Sequence, residues 1–516
     1  MNQLAILLAI ATIGYGLAKW RRLPVAAVLL LLGILFSAVG WGADRESARQ
    51  LVELGLAFLV FNTGIELNPR RFLHQTRQVL WVAFGQFLLV GLAGFGVARW
   101  MQFDWTPAIY LGFAAAASST LVVIRQLKNQ QQMFQPFGRL VTGVLLLQDA
   151  IMITVIVLLA RLDDGWLAMG TDFGALLLLA VGAILLHLFV LPWMERTLRP
   201  NEELLLLIAL SFLFLFLGAA YWLGLPFIAG AFLAGFTLSV FPLNGLLRGL
   251  LGSLAEFFHA LFFAALGSLV VFSSFWVLLQ AGAMSLVVLA GTPIIVIILA
   301  EWQGQSARNA IESGLLLAQS SELALVLGLV GVGAGQLDHP TFSVMALTCA
   351  ITMMVTPFLA TDQATWALLH RHPGHRRSGG FAGFEDHALL LGFGSAGMWV
   401  VKALRKAGLR VLVIDDDAAV ITHCERSRIP CLRGDGTDLQ LLRRAGIHEA
   451  RFVIANLPRP IDTMKVVRHA ERTPVVARVF EASEEAAVRE AGGIPVSSSQ
   501  AAFQKFLDWF EKTQVR

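Results

Sequence analysis

The sequence predicts a polytopic α-helical membrane protein of about thirteen transmembrane helices, followed by a cytoplasmic α/β, Rossmann-like domain. Of the 516 residues, 57% are hydrophobic and only 14% are charged, whereas a soluble protein carries about 25% charged residues. Residues 1–380 hold 38 charged side chains, and the much shorter stretch 381–516 holds 36. That second stretch also contains a glycine-rich turn between a predicted strand and a predicted helix. These observations exclude a secreted domain, a disordered chain and a single-domain soluble enzyme.

The first part contains thirteen apolar stretches long enough to cross about 30 Å of hydrocarbon. Polar residues separate these stretches, which occupy residues 3–18, 23–40, 51–66, 78–98, 106–127, 138–160, 174–194, 203–222, 225–241, 254–272, 276–301, 309–331 and 341–361. The eleventh is long enough to be read as two segments. The first is followed by basic residues at 19–22 rather than by a small-residue cleavage site. It therefore predicts a membrane helix and not a removable signal.

Basic residues predict the orientation of these segments. With the N-terminus outside, sixteen Lys and Arg residues fall on the inner side and four on the outer side, as expected for cytoplasmic loops. An odd number of segments then places the C-terminal domain in the cytoplasm. A basic connector containing Pro373 and Gly374 separates the two parts. The predicted organisation is a transmembrane domain at 1–361, a linker at 362–384 and a Rossmann-like domain at 385–516.

Asp149 lies near the midpoint of the sixth stretch, with apolar residues on both sides. Arg139 and Arg161 are the nearest basic residues along the chain, and both are too distant for an i±4 ion pair. A carboxylate in a membrane helix costs on the order of 3 kcal/mol, so such residues are candidates for function. A cap on a neighbouring helix end is the structural alternative. We favour an ion- or proton-carrying carboxylate.

Small and polar residues interrupt two other stretches, the fifth at 115–120 and the twelfth at 318–322. They are seven segments apart, and this odd offset implies a repeat that is inverted in the membrane. Paired interruptions of this kind predict broken helices that cross at a midplane binding site. Oxygen atoms near the cation are expected from Ser118, Ser119, Thr120, Ser320 and Ser321. The alternative is that these hydroxyls only bond back to helical carbonyls.

The second part alternates short β-rich runs with helical ones, which predicts a parallel, doubly wound sheet. Its first strand leads directly into a GxGxxG turn, and a carboxylate ends the second strand. In that context the turn indicates a dinucleotide fold, with phosphates at the helix N-terminus and ribose hydroxyls on the carboxylate. The candidate nucleotide-binding residues are Gly392, Phe393, Gly394, Ser395, Ala396, Gly397, Asp415 and Asp416. The alternative is a domain that keeps this fold but no longer binds a nucleotide.

Dehydrogenase chemistry is not predicted, because no second substrate domain and no paired histidine and carboxylate accompany the fold. Regulation by a bound nucleotide fits the sequence better.

Several stretches together resemble the second family of monovalent cation:proton antiporters, and in particular the Kef-type potassium efflux systems. The matching stretches are Glu53-Leu54-Gly55 with Gly64-Ile65-Glu66-Leu67, Ala117-Ser118-Ser119-Thr120, Gly138-Arg139, Gln148-Asp149 and, more loosely, Ser321-Glu322. The C-terminal part is similar to the RCK or TrkA-N-like regulatory domain of that family, including Gly434-Asp435-Gly436-Thr437-Asp438 after the third strand. The resemblance covers nearly the whole chain.

The resemblance implies an inverted-repeat, sodium/proton-antiporter-like fold in a homodimer of the bacterial-type inner membrane. It makes Asp149 the carboxylate that alternates between a cation, K⁺ first among candidates, and a proton. Gln148 beside it is typical of electroneutral members, and Glu322 joins the candidate ion-binding residues. Asp435 joins the residues expected to hold an adenine nucleotide, AMP or NAD/NADH. The resemblance also allows a soluble accessory regulator, and no nucleic-acid partner is indicated.

One departure from the resemblance concerns regulation. Kef-type systems carry an acidic loop before the tenth segment, whereas residues 242–249 here contain no acidic residue. Glutathione gating is therefore not predicted.

The sequence has two alternative functions. A nucleotide-regulated potassium channel would need a carbonyl-lined filter resembling Thr-Val-Gly-Tyr-Gly, and none of Tyr15, Tyr110 and Tyr221 lies in that context. An antiporter that carries Na⁺ instead of K⁺ stays open, because selectivity depends on cavity geometry.

Overall fold

The computed structural model describes residues 2–503 except 22, 40–44, 67–76, 131, 134, 161–165, 199–200, 240–243, 272–273, 372–385, 395–396, 458 and 498–502. The chain forms two compact units. The first consists of Met1–Ala300 and Ile311–Thr365, and the second of Glu301–Ala310 and Trp366–Arg516. The second unit thus includes a ten-residue segment from the predicted membrane part of the chain. The predicted linker begins with a helix, and most of its remainder lies outside the described residues.

The first unit is helical throughout the residues described. Its helices, with the three that continue past its boundaries, are α1 (Asn2–Arg21), α2 (Val25–Ala38), α3 (Arg45–Glu66), α4 (Arg77–Trp100), α5 (Trp105–Ala116), α6 (Thr120–Asn129), α7 (Pro136–Leu159), α8 (Trp166–Leu185), α9 (Leu191–Leu198), α10 (Glu202–Trp222), α11 (Phe227–Leu238), α12 (Asn244–Ser268), α13 (Phe275–Leu286), α14 (Thr292–Trp302), α15 (Ala307–Leu316), α16 (Glu322–Gly333), α17 (His339–Leu359) and α18 (Asp362–Arg371). Single π-helical turns, Leu186–Val190 and Val287–Gly291, join α8 to α9 and α13 to α14. Each of the thirteen predicted stretches overlaps helical structure.

Within the described residues, eight helical stretches are long and apolar enough to cross a membrane, and four shorter helices are also apolar. Many large hydrophobic side chains on these helices are exposed, among them Leu88, Leu178, Phe214 and Trp222. A water-soluble fold rarely exposes so much continuous apolar surface. The multi-pass membrane prediction is confirmed in this respect.

Both predicted interruptions are present. The fifth stretch breaks at residues 117–119 between α5 and α6, and the twelfth breaks at 317–321 between α15 and α16. Serines begin the second half-helices: Ser119 accepts a hydrogen bond from the Val122 N–H at 3.4 Å, and Ser321 accepts one from the Leu323 N–H at 3.1 Å. Serine satisfies a backbone donor that a helix start leaves unpaired. The same residues therefore end one helix and start the next.

Close helix packing in the first unit depends on glycine. A Cβ added to Gly235 of α11 would lie 2.0 Å from the Phe61 carbonyl oxygen of α3, and one added to Gly267 of α12 would lie 2.3 Å from the Leu30 carbonyl oxygen of α2. Helix α3 packs against α11 and α12 in this way, and α12 also packs against α2. The interrupted helices pack instead with α4, α7 and α17. The predicted ion site lies among the interrupted helices and these three neighbours.

The second unit carries a six-stranded parallel sheet in the order β3-β2-β1-β4-β5-β6. The strands are β1 (His387–Leu391), β2 (Arg410–Asp415), β3 (Cys431–Arg433), β4 (Phe452–Ala455), β5 (Val475–Val479) and β6 (Ile494–Ser497), alternating with α19 (Gly397–Lys406), α20 (Ala418–Arg426), α21 (Leu439–Arg444), α22 (Pro460–His469) and α23 (Ala482–Glu490). Every residue of β1 is buried. The strand order reverses between β1 and β4, and ligands of doubly wound sheets bind at that switch point. The predicted Rossmann-like architecture is confirmed.

Candidate functional site

The two interruptions of the first unit bind each other directly. The Ser321 N–H donates to the Ala117 carbonyl at 2.9 Å, and the Ser118 hydroxyl donates to the Leu317 carbonyl at 2.8 Å. The Ser320 hydroxyl donates to the Ala114 carbonyl at 2.7 Å. Backbone groups freed by the breaks are thus satisfied by the opposite segment, which non-helical backbone requires at membrane depth. The predicted crossing of two broken helices exists.

Asp149 of α7 lies at this crossing. Its side chain is buried, at 2% exposure, and the Thr120 hydroxyl donates to Oδ2 of its carboxylate at 2.8 Å. Thr120 is the first residue of α6, directly after the first interruption. A carboxylate at a helix start also benefits from the positive end of the helix dipole. The geometry therefore places the Asp149 carboxyl group beside backbone that has left helical geometry.

Two buried glutamines hold the first interruption in shape. The Gln148 Oε1 accepts the Ser118 N–H at 3.1 Å, and the Gln148 amide donates to Gln86 Oε1. Gln86 Nε2 in turn donates to the Ala116 carbonyl at 2.9 Å. Both side chains have 0% exposure. Gln86 was not among the sequence candidates, although a polar residue inside the apolar stretch 78–98 is a signal that could have found it.

Helix α17 supports the second interruption with threonines spaced four residues apart. The Ser320 N–H donates to the Thr352 hydroxyl at 3.0 Å, and the Thr356 hydroxyl donates to the Ala318 carbonyl. Sequence reasoning also missed these residues, and their helical spacing in an apolar stretch was the available signal. Glu322, the first residue of α16, is buried at 1% exposure. The crossing therefore contains two buried carboxylates. Glu322 lies in the first turn of α16, and Asp149 is hydrogen-bonded to Thr120 in the first turn of α6.

A cavity of about 600 Å³ borders Thr120. Its polar lining includes Tyr15, Asn62, Arg125, Gln126, Lys128, Glu256 and His259. At its wall the Arg125 guanidinium pairs with the Glu256 carboxylate at 3.1 Å, and the Tyr15 hydroxyl donates to the same carboxylate at 3.2 Å. Because Thr120 both lines the cavity and binds Asp149, the cavity leads toward the buried carboxylate.

Replacing Thr120 by valine, which has the same shape and no hydroxyl, is expected to weaken cation binding. A hydrogen bond to a charged group contributes about 1.5 kcal/mol or more, which corresponds to about tenfold in affinity. The cation concentration for half-maximal exchange in proteoliposomes should rise by about that factor, with unchanged expression. Thr154→Val is the matched control, because the Thr154 hydroxyl only donates back to the Ala150 carbonyl in its own helix. Equal cation dependence in the two variants would contradict the role of Thr120.

The glycine-rich turn of the second unit has the conformation that its sequence predicts. Gly392 and Gly394 have φ values of +78° and +48°, which favour glycine. A Cβ on Gly392 would lie 2.6 Å from the Asn456 carbonyl oxygen. Asn456, at the end of β4, also donates its side-chain amide to the Gly392 carbonyl at 3.0 Å and accepts from Arg478 at 3.1 Å. Neither Asn456 nor Arg478 was a sequence candidate.

Around that turn, Asp415 holds the backbone. Its carboxylate accepts the Phe393 N–H at 2.8 Å and the Asp417 N–H at 2.9 Å. Burial raises the pKa of Asp415, and those backbone hydrogen bonds oppose the rise. Gly397 begins α19, close to the Phe393 ring. The predicted residues Ser395 and Ala396 lie outside the described residues.

Asp416 and Asp435 are brought together at the same edge of the sheet, after β2 and β3. Burial raises the pKa of Asp416 to about 6, with the carboxylates of Asp435 and Asp415 adding to the rise. The Ser306 hydroxyl donates to Asp416 Oδ2 at 2.9 Å and opposes that rise. Asp435 accepts the Thr437 N–H at 2.9 Å and pairs with Arg308 at 2.8 Å. Both carboxylates thus contact the segment Glu301–Ala310 of the same unit.

A buried carboxylate at the crossing of two broken helices, in a multi-pass helical bundle, defines the class: a secondary transporter of ions, and not an enzyme. A Rossmann-like unit accompanies it. The chain belongs to the sodium/hydrogen exchanger family, whose transmembrane domain matches residues 6–361. A TrkA-N domain matches residues 388–498. The protein is therefore a cation/proton exchanger with a C-terminal TrkA-N domain, and the resemblance to Kef-type antiporters is confirmed.

Three solved structures are similar to parts of the chain. The sodium/proton antiporter MjNhaP1 from Methanocaldococcus jannaschii has 14% sequence identity and a TM-score of 0.53, over 71% of this chain and 99% of its own. The TrkA-N domain of inner membrane protein ybaL from Escherichia coli has 19% identity and a TM-score of 0.24, over 25% of this chain and 98% of its own. The GsuK channel bound to NAD has 20% identity and a TM-score of 0.22, over 43% of this chain and 41% of its own. The MjNhaP1 match shows the antiporter fold.

Proposed function

We propose that the protein exchanges K⁺ for H⁺, one for one, at Asp149, and that an adenine nucleotide on the TrkA-N domain sets the exchange rate. The observation that carries this proposal is the buried Asp149 carboxylate, bonded to Thr120 at the crossing of two broken helices. A carboxylate can hold either a proton or a monovalent cation, and mutually exclusive binding couples the two fluxes. We place the protein in a bacterial-type inner membrane, as a homodimer with its C-terminal domain in the cytoplasm.

The residues around Asp149 can replace part of a cation's hydration shell. Thr120 offers a hydroxyl oxygen, and the interruptions at 117–119 and 317–321 offer carbonyl oxygens that are not all used within helices. The Ser118 and Ser320 hydroxyls donate to carbonyls across the crossing, so they position the backbone and their oxygens keep lone pairs for a cation. Ser321 contributes its backbone N–H to the crossing, and its hydroxyl caps α16. Ser119 caps α6.

A direct test of ion choice uses purified full-length protein in liposomes with an internal pH dye. Additions of K⁺, Na⁺ and Li⁺ in turn should alkalinise or acidify the lumen according to the imposed gradient, with K⁺ effective at the lowest concentration. The family also contains sodium/hydrogen exchangers, so a stronger response to Na⁺ would replace K⁺ by Na⁺ in the proposal. No response to any of the three would overturn cation/proton exchange at this site.

Exchange is expected to be electroneutral. Gln148 is a neutral amide beside the single carboxylate of α7, and the stretch 276–301 contains no lysine. One carboxylate that swaps H⁺ for a monovalent cation moves no net charge, whereas a cycle that moved one charge would gain or lose about 2.3 kcal/mol per 100 mV. A potential imposed by a thiocyanate gradient should therefore leave the exchange rate unchanged. A rate that follows the sign of this potential would show an electrogenic cycle.

Nucleotide regulation is supported by the geometry of the second unit. Gly392 and Gly394 let the backbone of the turn approach phosphates, and Asp415, Asp416 and Asp435 place carboxylate oxygens at the same edge for ribose hydroxyls. AMP, NAD and NADH share both chemical groups. A ligand changes the rate only if its affinity differs between the active and resting arrangements. The test is the exchange rate with each nucleotide on the cytoplasmic side of the liposomes.

A further inference from the structure

The segment Glu301–Ala310 runs from the end of α14 to the start of α15. It contacts the carboxylate edge of the nucleotide fold, which is formed by Asp416, Asp435 and Asp462. Arg308 in the first turn of α15 is 8% exposed. Its guanidinium donates to Asp435 Oδ2 at 2.8 Å and to Asp462 Oδ2 at 3.1 Å. The side chains of these partners are 12% and 5% exposed. A buried guanidinium between two buried carboxylates is a specific contact, because removing one member leaves an uncompensated charge.

Further contacts hold the same segment. The Ser306 hydroxyl donates to Asp416 Oδ2 at 2.9 Å, and the Arg308 guanidinium stacks over the Trp366 ring at 5.3 Å. Arg308 also lies 3.4 Å from the Thr437 hydroxyl. The attachment therefore uses residues that follow β2 and β3, and Asp462 in the first turn of α22.

Two of the carboxylates that hold this segment, Asp416 and Asp435, are also predicted nucleotide ligands. Asp435 Oδ1 accepts the N–H and hydroxyl of Thr437, at 2.9 and 2.8 Å, and its Oδ2 accepts Arg308. Ribose hydroxyls bound at this edge would donate to the same two carboxylates. A nucleotide would therefore share Asp416 and Asp435 with the segment.

Along the chain, Arg308 is close to the ion site. Helix α15 runs from Ala307 to Leu316, and the next residue, Leu317, accepts the Ser118 hydroxyl at the helix crossing. Nine residues, most of them helical with a rise of about 1.5 Å per residue, separate Arg308 from that hydrogen bond. A change in how Arg308 is held is thus a change at one end of a broken helix.

We propose that Arg308 is a latch: its ion pairs with Asp435 and Asp462 hold α15, and a nucleotide bound at the glycine-rich turn changes the exchange rate by releasing it. This proposal rests on the proposed nucleotide regulation, and it names the contact through which that regulation acts. Arg308 is a positioning residue, since it touches neither the transported ion nor Asp149.

The test compares Arg308→Ala with Lys465→Ala in the full-length protein. Lys465 lies 3.9 Å from Asp462 and 5.0 Å from the Trp366 ring, so the control removes a cation from the same cluster without touching Glu301–Ala310. Exchange is measured in liposomes with and without saturating AMP, NAD or NADH. Arg308→Ala should give one rate whether or not nucleotide is present, and Lys465→Ala should keep the wild-type ratio of rates. A wild-type ratio in Arg308→Ala would overturn the latch.

Hydrogen exchange of the backbone amides at 301–310 gives a readout that does not depend on transport. Arg308→Ala should speed this exchange at least tenfold, nucleotide should speed it in the wild type, and Arg308→Lys should restore part of the protection. Protection that is the same in wild type and Arg308→Ala would overturn the latch even if transport changes. Arg308→Ala could release the segment as expected while no nucleotide alters the rate of cation/proton exchange in the wild type. In that case the proposed regulation fails, and the role of Arg308 in holding the segment stands.

Discussion

Replacing Asp149 by asparagine is expected to abolish cation-driven proton movement and to leave the protein folded. Asparagine keeps the shape of the side chain and can still accept the Thr120 hydroxyl through its carbonyl oxygen. It cannot release a proton or carry a negative charge, so neither half of the exchange remains. Because the carboxylate is buried at 2% exposure, its loss also removes a desolvated charge, and thermal stability should stay equal or rise.

The matched control for this variant is Asp104→Asn. Asp104 is an exposed residue that precedes α5 and makes no capping hydrogen bond with its side chain, and asparagine is as good as aspartate at that position. The control should exchange at the wild-type rate. Undiminished proton flux in Asp149→Asn, measured with the pH dye at equal protein content, would remove Asp149 from the mechanism.

Gly394→Ala should abolish the stabilisation of the protein by nucleotide. In the wild type, a nucleotide at a hundredfold excess over Kd raises the free energy of unfolding by about 2.7 kcal/mol, which appears as a higher melting temperature with AMP, NAD or NADH. Alanine at position 394 would have a φ of +48°, and its Cβ would lie 3.0 Å from the Asn456 side-chain amide. It would also occupy the close approach that a pyrophosphate needs at this turn.

Gly408→Ala is the control that separates strain from ligand loss. Gly408 has φ +79°, and no atom lies within 4 Å of an added Cβ. Alanine at either position adopts a left-handed conformation that costs about 1 kcal/mol, so both variants should melt slightly below the wild type without ligand. Only Gly394→Ala should lose the nucleotide-dependent rise. A rise that survives in Gly394→Ala would place the nucleotide elsewhere or show that this turn does not bind it.

Local sequence patterns predicted most of the architecture because each depends on neighbouring residues. Apolar length gave the helical stretches, and the serine- and threonine-containing breaks at 115–120 and 318–322 gave the two interruptions. The strand–turn–helix around Gly392 and Gly394 gave the nucleotide fold. Each of these features is fixed by side chains within about twenty residues of one another.

The partners of the site residues could not be read in the same way. Gln86 and Gln148 are 62 residues apart, and Ser320 and Ala114 are 206 apart. Hydropathy reveals that a residue is buried, but it carries no information on which distant buried group it meets. A buried polar residue such as Gln86 could be suspected from the sequence, whereas its position against the Ala116 carbonyl required the folded bundle.

Arg308 shows the difference most clearly. In the sequence it is a basic residue near a predicted helix start, counted only as one of the positive charges on the inner side. The structure pairs it with Asp435 and Asp462, which follow it by 127 and 154 residues. The sequence by itself determined that the chain is a membrane bundle with a buried carboxylate and a nucleotide-type fold, because hydropathy and turn chemistry are local. Only the tertiary structure decided which side chains surround the predicted ion site and which segment the carboxylate edge holds, because long-range contacts form only when the helices and the sheet have packed.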